Sequence, residues 1–118
     1  MATTGGSFRS LRVYDLATRF SDRAARISRS ARCSPSLKEQ LVRASESVVL
    51  NIAEGAGHLT PCQKLNAFRI AHGSAGECIA ALDMIARQDR RLDVRPARWD
   101  AQLVARMLTR LIQAAEAS

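Results

Sequence analysis

The sequence has few aromatic residues and no long apolar run. Five of its 118 residues are aromatic, so the core must be filled mainly by aliphatic side chains and by the twenty alanines. No apolar stretch approaches the roughly 18 residues of a membrane-spanning helix, and the first ten residues lack the hydrophobic segment of a secretory signal. We therefore expect a cytoplasmic protein that does not enter a membrane.

The sequence has three cysteines, and their spacing shows no pairing motif. Cys33, Cys62 and Cys78 are odd in number, form no CxxC pair and lack histidine neighbours at the spacing of a zinc site. A chain of this length buries roughly two thirds of its unfolded surface, so it can fold without a disulfide or a metal. We expect reduced thiols, no metal and no cofactor.

Sequence motifs of catalysis are missing as well. The chain contains no glycine-rich phosphate loop, nucleophile elbow or HExxH helix, and its two histidines are isolated. Glu54 and Glu77 are the carboxylates that a paired-acid mechanism would use, but charge partners on neighbouring helices explain them better. We expect no catalytic residue, and hence no enzyme.

Positive charge is what the sequence has in excess. The formal net charge is +7 and the isoelectric point is about 10.6, values that favour polyanionic partners. Residues 1–43 hold nine basic residues and three acidic ones, and sixteen of the eighteen basic residues are arginine. Arginine suits bidentate phosphate contacts, although a GC-rich genome would produce the same bias without a function.

Hydrophobic periodicity predicts an all-α protein. Residues 1–9 lack a periodic pattern and are expected to form a flexible tail; amphipathic segments follow at about residues 10–30, 36–56, 60–90 and 96–116. Ser36 with Glu39 and Thr60 with Gln63 have the spacing of capping boxes at the starts of the second and third segments. Short connections between such segments predict an antiparallel, up-down four-helix bundle.

The second segment carries a polar stripe opposite its apolar face. Its members recur at helical spacing, and one residue of the third segment joins them: Gln40, Arg43, Ser47, Asn51, Glu54 and Glu77. In a hairpin centred near residues 58–60, Arg43 would lie level with Glu77. The same register places Glu46 near Gly73 and Ser74, and Asn51 near Phe68 or Arg69. We expect a half-buried polar layer with an Arg43–Glu77 pair, unless the two residues share a height and face different neighbours.

The third segment has a second row beside its core stripe, at the heptad spacing of a helix seam. This row and one tryptophan give the predicted subunit-interface residues: Ile70, Gly73, Ala80, Met84 and Trp99. Gly73 and Gly76 suggest a close backbone approach, because glycine inside a helix is otherwise costly. Trp99 could instead lie at the edge of the core or offer an arginine-flanked stacking surface.

Four arginines of the first segment fall on one side of the helix: Arg12, Arg19, Arg23 and Arg26. We predict that they contact nucleic-acid phosphates. The alternative is a solvated face whose charge is partly relieved by Asp15 and Asp22.

Two runs carry a resemblance to a known family: Gln40-Leu41-x-Arg43-Ala44-x-x-Ser47-Val48-x-x-Asn51-Ile52-Ala53-Glu54-Gly55 and Ala71-x-Gly73-Ser74-x-x-Glu77. They resemble the bacterial four-helix-bundle family, also called the 23S rRNA intervening-sequence protein family, which is similar to the accessory variability protein of diversity-generating retroelements. The resemblance implies a four-helix bundle, a ring-shaped homo-oligomer, most simply a homopentamer, and a reverse transcriptase as a partner. It implies no catalytic role.

The sequence thus favours a basic, non-enzymatic, homo-oligomeric bundle that binds RNA or DNA, or a nucleic-acid enzyme such as a reverse transcriptase. The alternative is a purely structural oligomeric scaffold or protein-interaction module with no nucleic-acid role.

Overall fold

The computed structural model describes the backbone of residues 5–57 and 60–117 and the side chains of residues 10–57 and 60–117. Four helices account for nearly all of these residues: α1 (Gly5–Ser30), α2 (Pro35–Gly57), α3 (Pro61–Gln88) and α4 (Arg95–Glu116). Within these ranges there is no strand, and no helix is long and apolar enough to cross a bilayer. The predicted all-α class is confirmed.

The helices pack side by side as an elongated bundle of 46 × 19 × 19 Å. Ion pairs between α3 and α4 show that neighbours run antiparallel, since Asp83 pairs with Arg98 at 2.8 Å while Arg69 pairs with Glu116 at 2.8 Å. The helix α1 lies next to α2 and α4, and α3 also lies next to both. The α1/α4 side of the bundle is therefore opposite the α2/α3 side.

Two helix starts differ from the sequence prediction. Helix α1 begins at Gly5 and not near Ser10, so part of the predicted tail is helical, while residues 1–4 lie outside the described residues. Residues 5–9 carry no apolar stripe that periodicity could detect, but a helix extends easily once nucleated. Helix α2 is capped by Ser34 and not Ser36, because the Ser34 hydroxyl accepts from the Leu37 amide at 3.3 Å.

Helix α3 starts as predicted. The Thr60 hydroxyl accepts from the Gln63 amide at 3.4 Å, and Pro61 occupies the first helical position, where its missing N–H costs nothing. Residues 58 and 59, on which the predicted hairpin was centred, lie outside the described residues. The short connection nevertheless leaves α2 and α3 as antiparallel neighbours.

Small side chains line the core. The buried set combines alanines on all four helices with a few larger residues, among them Phe20, Phe68, Leu82 and Leu108. Alanine on facing helices allows their axes to approach towards the lower end of the 8–10 Å range for packed helices. The narrow bundle follows from this composition.

One glycine, Gly55, is required by packing. A Cβ atom at this position would lie 2.5 Å from Cε1 of Phe68, whose ring is buried against α2. Gly73 and Gly76 are different: a Cβ atom on either would meet nothing within 4 Å. The predicted close backbone approach at Gly73 and Gly76 is therefore wrong within one chain, because both glycines face outwards.

A buried carboxylate joins the two turns at one end of the bundle. Asp89 caps the end of α3, is 3% exposed, and accepts from the Arg32 amide at 2.9 Å in the α1–α2 turn. It also accepts from the amide and guanidinium of Arg91, at 3.2 Å and 3.1 Å, in the α3–α4 turn. These hydrogen bonds, that from Arg32 above all, lower the pKa of Asp89.

Gly55→Ala is expected to lower the free energy of unfolding by about 1 to 3 kcal/mol, since the added methyl group would collide with the Phe68 ring. Gly76→Ala is the matched control and should raise it by about 0.5 to 1 kcal/mol through helix propensity alone. Urea unfolding followed by circular dichroism at one protein concentration measures both. Similar effects of the two substitutions would contradict this packing account.

Asp89→Asn should lower the melting temperature at neutral pH, because an amide has one acceptor oxygen fewer and places donors against Arg91. The folded pKa of Asp89 lies below the unfolded value of about 3.9, so its carboxylate stabilises the fold above that pH. This stabilisation is lost as the pH falls through the folded pKa. Parent and variant should therefore converge in melting temperature under acidic conditions.

Thermal unfolding followed by circular dichroism from neutral pH to below pH ~3 makes the comparison. Asp15→Asn serves as the control, because Asp15 is an exposed carboxylate with one weak ion pair to Arg19. A difference between parent and Asp89→Asn that persists unchanged at low pH would show that Asp89 acts through packing and not through charge.

Candidate nucleic-acid interface and assembly face

The four predicted arginines of α1 lie along the α1/α4 side of the bundle. Arg19 pairs with Asp15 at 3.5 Å on its own helix, with both side chains largely exposed. Arg23 is half-buried and reaches across to Asp100 of α4 at 3.3 Å. Arg23 is thus paired with a carboxylate of α4, in addition to the acidic residues of α1 that the sequence offered near these arginines.

We call the four α1 arginines the ridge. Its other two members, Arg12 and Arg26, are exposed, and no described carboxylate pairs with either. Arg12 lines an open groove of about 650 Å³ between α1 and α4. Arg110 lines the same groove from the α4 side, together with Leu103 and Met107. The groove therefore brings Arg12 and Arg110, neither of which pairs with a described carboxylate, onto one surface from different helices.

An exposed tryptophan stands on the same side of α4. Trp99 is 60% exposed, and the guanidinium carbon of Arg106 lies 5.6 Å from the centre of its ring. Trp99, Leu103, Arg106 and Arg110 follow spacings of 4, 3 and 4, which places them on one stripe of the helix. Trp99 thus belongs to the arginine-bearing surface and not to the core.

We call this surface the basic face; it consists of Arg12, Arg19, Arg23, Arg26, Trp99, Arg106 and Arg110. Sequence reasoning found its α1 half but left Arg106 and Arg110 out of the predicted site. The signal was present, because an up-down bundle places α4 beside α1 and the Trp99 stripe carries both arginines.

On the opposite side, the predicted polar layer between α2 and α3 is present but small. The hydroxyls of Ser47 and Ser74 are hydrogen bonded at 2.8 Å across the two helices. Asn51 donates its amide to the Ser47 carbonyl at 2.9 Å and to the Ser47 hydroxyl at 3.2 Å, within α2. The cross-helix bond is therefore made by the serines, and Asn51 supports Ser47.

The predicted Arg43–Glu77 pair does not form. Arg43 pairs with Glu39 at 3.2 Å, one turn earlier on its own helix, and both side chains are exposed. Gln40 and Glu77 line one shallow groove of about 380 Å³ between α2 and α3. Arg43 instead lines a groove with Ser28 and Glu46 on the α1 side of α2.

Two glutamates of α2, Glu46 and Glu54, were also expected in or near the polar layer. Glu46, predicted near Ser74, instead lines a groove with Thr18 and Ser21 on the α1 side of α2. Glu54 is exposed near the end of α2. Ser47, and not Glu46, is therefore the α2 residue that faces Ser74, since adjacent residues point roughly 100° apart around a helix.

The predicted interface residues of α3 form an exposed row beside this polar layer. Ile70 and Met84 are 45% and 47% exposed, and Gly73 and Ala80 lie between them. We call these four residues the assembly face. Trp99 does not belong to it, because Trp99 is on the opposite side of the bundle.

The cysteines differ in exposure but are all free thiols. Cys62 is exposed, Cys33 is half-buried, and burial with the nearby Glu77 charge raises the pKa of buried Cys78 to about 12. A thiol with so high a pKa is almost never the reactive thiolate. Among the described residues, no group of histidine, cysteine, aspartate and glutamate is arranged to hold a metal ion.

A family model described as 23S rRNA-intervening sequence protein matches residues 9–109. The fold is similar to the crystal structure of a protein of unknown function from the S23 ribosomal protein family of Bacteroides thetaiotaomicron. That similarity has a TM-score of 0.79 at 18% sequence identity and covers 89% of this chain and 98% of the other. No curated protein matches the sequence.

Proposed function

The chain belongs to the 23S rRNA-intervening sequence protein family, and we propose that it acts in the cytoplasm as a non-enzymatic homo-oligomer that binds nucleic acid. The family predicted from the sequence motif is thereby confirmed. The binding surface in this proposal is the basic face, and the ligand is the phosphate backbone of RNA or DNA.

The observation that carries the proposal is the joining of two arginine rows on one side of the bundle. Arg12 of α1 and Arg110 of α4 share a groove, and no described carboxylate pairs with either. Arg19 and Arg23 are paired, but exposed or partly exposed ion pairs of this kind are worth at most about 1 kcal/mol. A phosphate can therefore compete for these guanidinium groups at little cost.

Assembly would strengthen such a surface. The assembly face lies on α3, whereas the exposed apolar residues Leu11 and Tyr14 lie on α1 and Leu50 lies on α2, so exposed apolar side chains occur on different surfaces. Contacts between two different patches on identical subunits are head-to-tail and can close into a ring. The five-fold ring implied by the family resemblance would repeat the basic face and raise affinity through multivalency.

The same resemblance makes a reverse transcriptase the proposed protein partner, since such an enzyme works on the nucleic acid that the bundle would hold. A second candidate function, that of an oligomeric scaffold without a nucleic-acid role, is favoured by the assembly face alone. Ile70 and Met84 would serve both functions, so the basic face is what separates them.

Replacing the four ridge arginines with glutamine tests the proposal, because glutamine keeps helix propensity while removing charge. The variant carries Arg12→Gln, Arg19→Gln, Arg23→Gln and Arg26→Gln. Its affinity for RNA and DNA should fall, and the slope of log affinity against log salt should shrink by roughly 0.7 to 0.9 per lost phosphate contact. Fluorescence anisotropy at several salt concentrations measures both quantities.

The control removes four positive charges elsewhere, through Lys38→Gln, Arg43→Gln, Arg87→Gln and Arg90→Gln. Because it has the same net charge as the test variant, it separates a local surface from general attraction. If the two variants lose equal affinity for RNA and DNA, the four ridge arginines form only a solvated surface and not a specific binding site. If the parent binds tightly and its affinity does not change with salt concentration, phosphate contacts do not account for the binding. That result would contradict the proposal.

Gly73→Leu should lower the oligomeric mass, because a leucine side chain would stand in the middle of the assembly face. The bundle itself should stay folded, since the space around the Gly73 Cβ position is open within 4 Å. Gly76→Leu is the control on the same helix, outside that row, and should leave the mass unchanged. Light scattering coupled to gel filtration gives the masses, and a monomeric parent at micromolar concentration would defeat the assembly proposal.

A further inference from the structure

We propose that Trp99 is a stacking platform for an unpaired nucleobase, so that the basic face takes single-stranded nucleic acid in preference to a duplex. This inference rests on the proposed function, since it specifies which form of nucleic acid the basic face binds. It concerns Trp99 and Arg106 of α4, which the phosphate-binding ridge of α1 does not include.

The first observation is the exposure of the indole. Tryptophan is highly buried on average in folded proteins, yet Trp99 is 60% exposed. The guanidinium of Arg106 lies over one face of the ring at 5.6 Å, a cation–π contact that holds the ring in place. A fixed, exposed aromatic ring is the arrangement on which bases of single strands stack.

The second observation is the charge around the ring. Arg106 and Arg110 continue the Trp99 stripe towards the groove that Arg12 lines from α1, and no described carboxylate pairs with these three arginines. Eleven residues separate Trp99 from Arg110, or roughly 16 Å at the helical rise of 1.5 Å per residue. A strand with one base on Trp99 can therefore run its phosphates along α4 into the groove.

The same charge argues against the basic face of a second copy of this chain as the occupant. Two basic faces brought together would place Arg106 and Arg110 of one subunit against like charges of the other, which is unfavourable. A duplex also fits poorly, because its base faces are covered by neighbouring base pairs and only its phosphates remain available. A single strand offers both phosphates and free base faces.

Trp99 is the one tryptophan of the chain, so its fluorescence reports stacking directly. Titration with a short oligoadenylate RNA should quench this fluorescence, whereas an RNA duplex of equal length should quench it much less at equal occupancy. Occupancy is measured independently by anisotropy of an end-labelled strand. Equal quenching by the two ligands, or none by either bound ligand, would overturn the proposal.

Substitution provides the second readout. Trp99→Ala should weaken oligoadenylate binding roughly 5- to 150-fold, the range for loss of one base–aromatic stack, and should weaken duplex binding much less, because a duplex offers no free base to the ring. Trp99→Phe keeps an aromatic face and should retain most of the affinity. Because Trp99 is exposed, both variants should keep the parent's melting temperature and oligomeric mass.

The outcomes separate this inference from the function on which it rests. If Trp99→Ala binds single strand and duplex as the parent does, stacking is refuted while phosphate binding by the ridge stands. If the parent binds neither ligand, the proposed function fails as well. A fall in oligomeric mass of Trp99→Ala would identify the tryptophan as a subunit contact and overturn the stacking proposal.

Discussion

The buried carboxylate of Asp89 is the constraint on which the arrangement of the four helices depends. It holds the α1–α2 turn through the Arg32 amide and the α3–α4 turn through Arg91, while Gln88 accepts from the Ser34 amide at 2.9 Å beside it. Two turns that only share an end of the bundle are thereby fastened to each other. Small alanine side chains interlock little between helices. The hydrogen bonds of Asp89 therefore hold the α1–α2 turn in position at the end of α3.

The sequence was sufficient to predict the helices, their order and most of the core. Period-3.6 spacing marked the four segments, whose apolar stripes contain the buried Val13, Phe20 and Leu82, and the Thr60–Gln63 capping box marked the start of α3. These features are local, because each is decided within one helix or one turn. The motif that predicted the family also includes contacts between helices: Gly55 of α2 makes room for Phe68 of α3, and Ser47 of α2 bonds to Ser74 of α3.

Features that depend on the rotation of one helix against another could not be predicted. Arg43 and Glu77 were placed at similar heights, but Arg43 reaches Glu39 because its side chain leaves α2 in another direction. The close contact was assigned to Gly73 when it belongs to Gly55, since composition cannot say which side of a helix meets a neighbour. Likewise, the α4 half of the basic face can be predicted only if α1 and α4 are known to be adjacent. That adjacency is a property of the bundle topology and not of either helix alone.

The adjacency of α1 and α4 has a kinetic consequence. Among the described residues, every other pair of packed helices is consecutive in the chain, whereas the Arg23–Asp100 contact closes a segment that includes two intervening helices. Loop-closure entropy rises with the length of the closed segment, and contacts distant in sequence are the slow ones to form. We therefore expect the first helix to dock onto the last late in folding, and the basic face, to which both helices contribute, to form at that step. An anion that binds only when the two helices are docked would stabilise the docked state. Ligand binding and the packing of α1 against α4 are therefore thermodynamically linked.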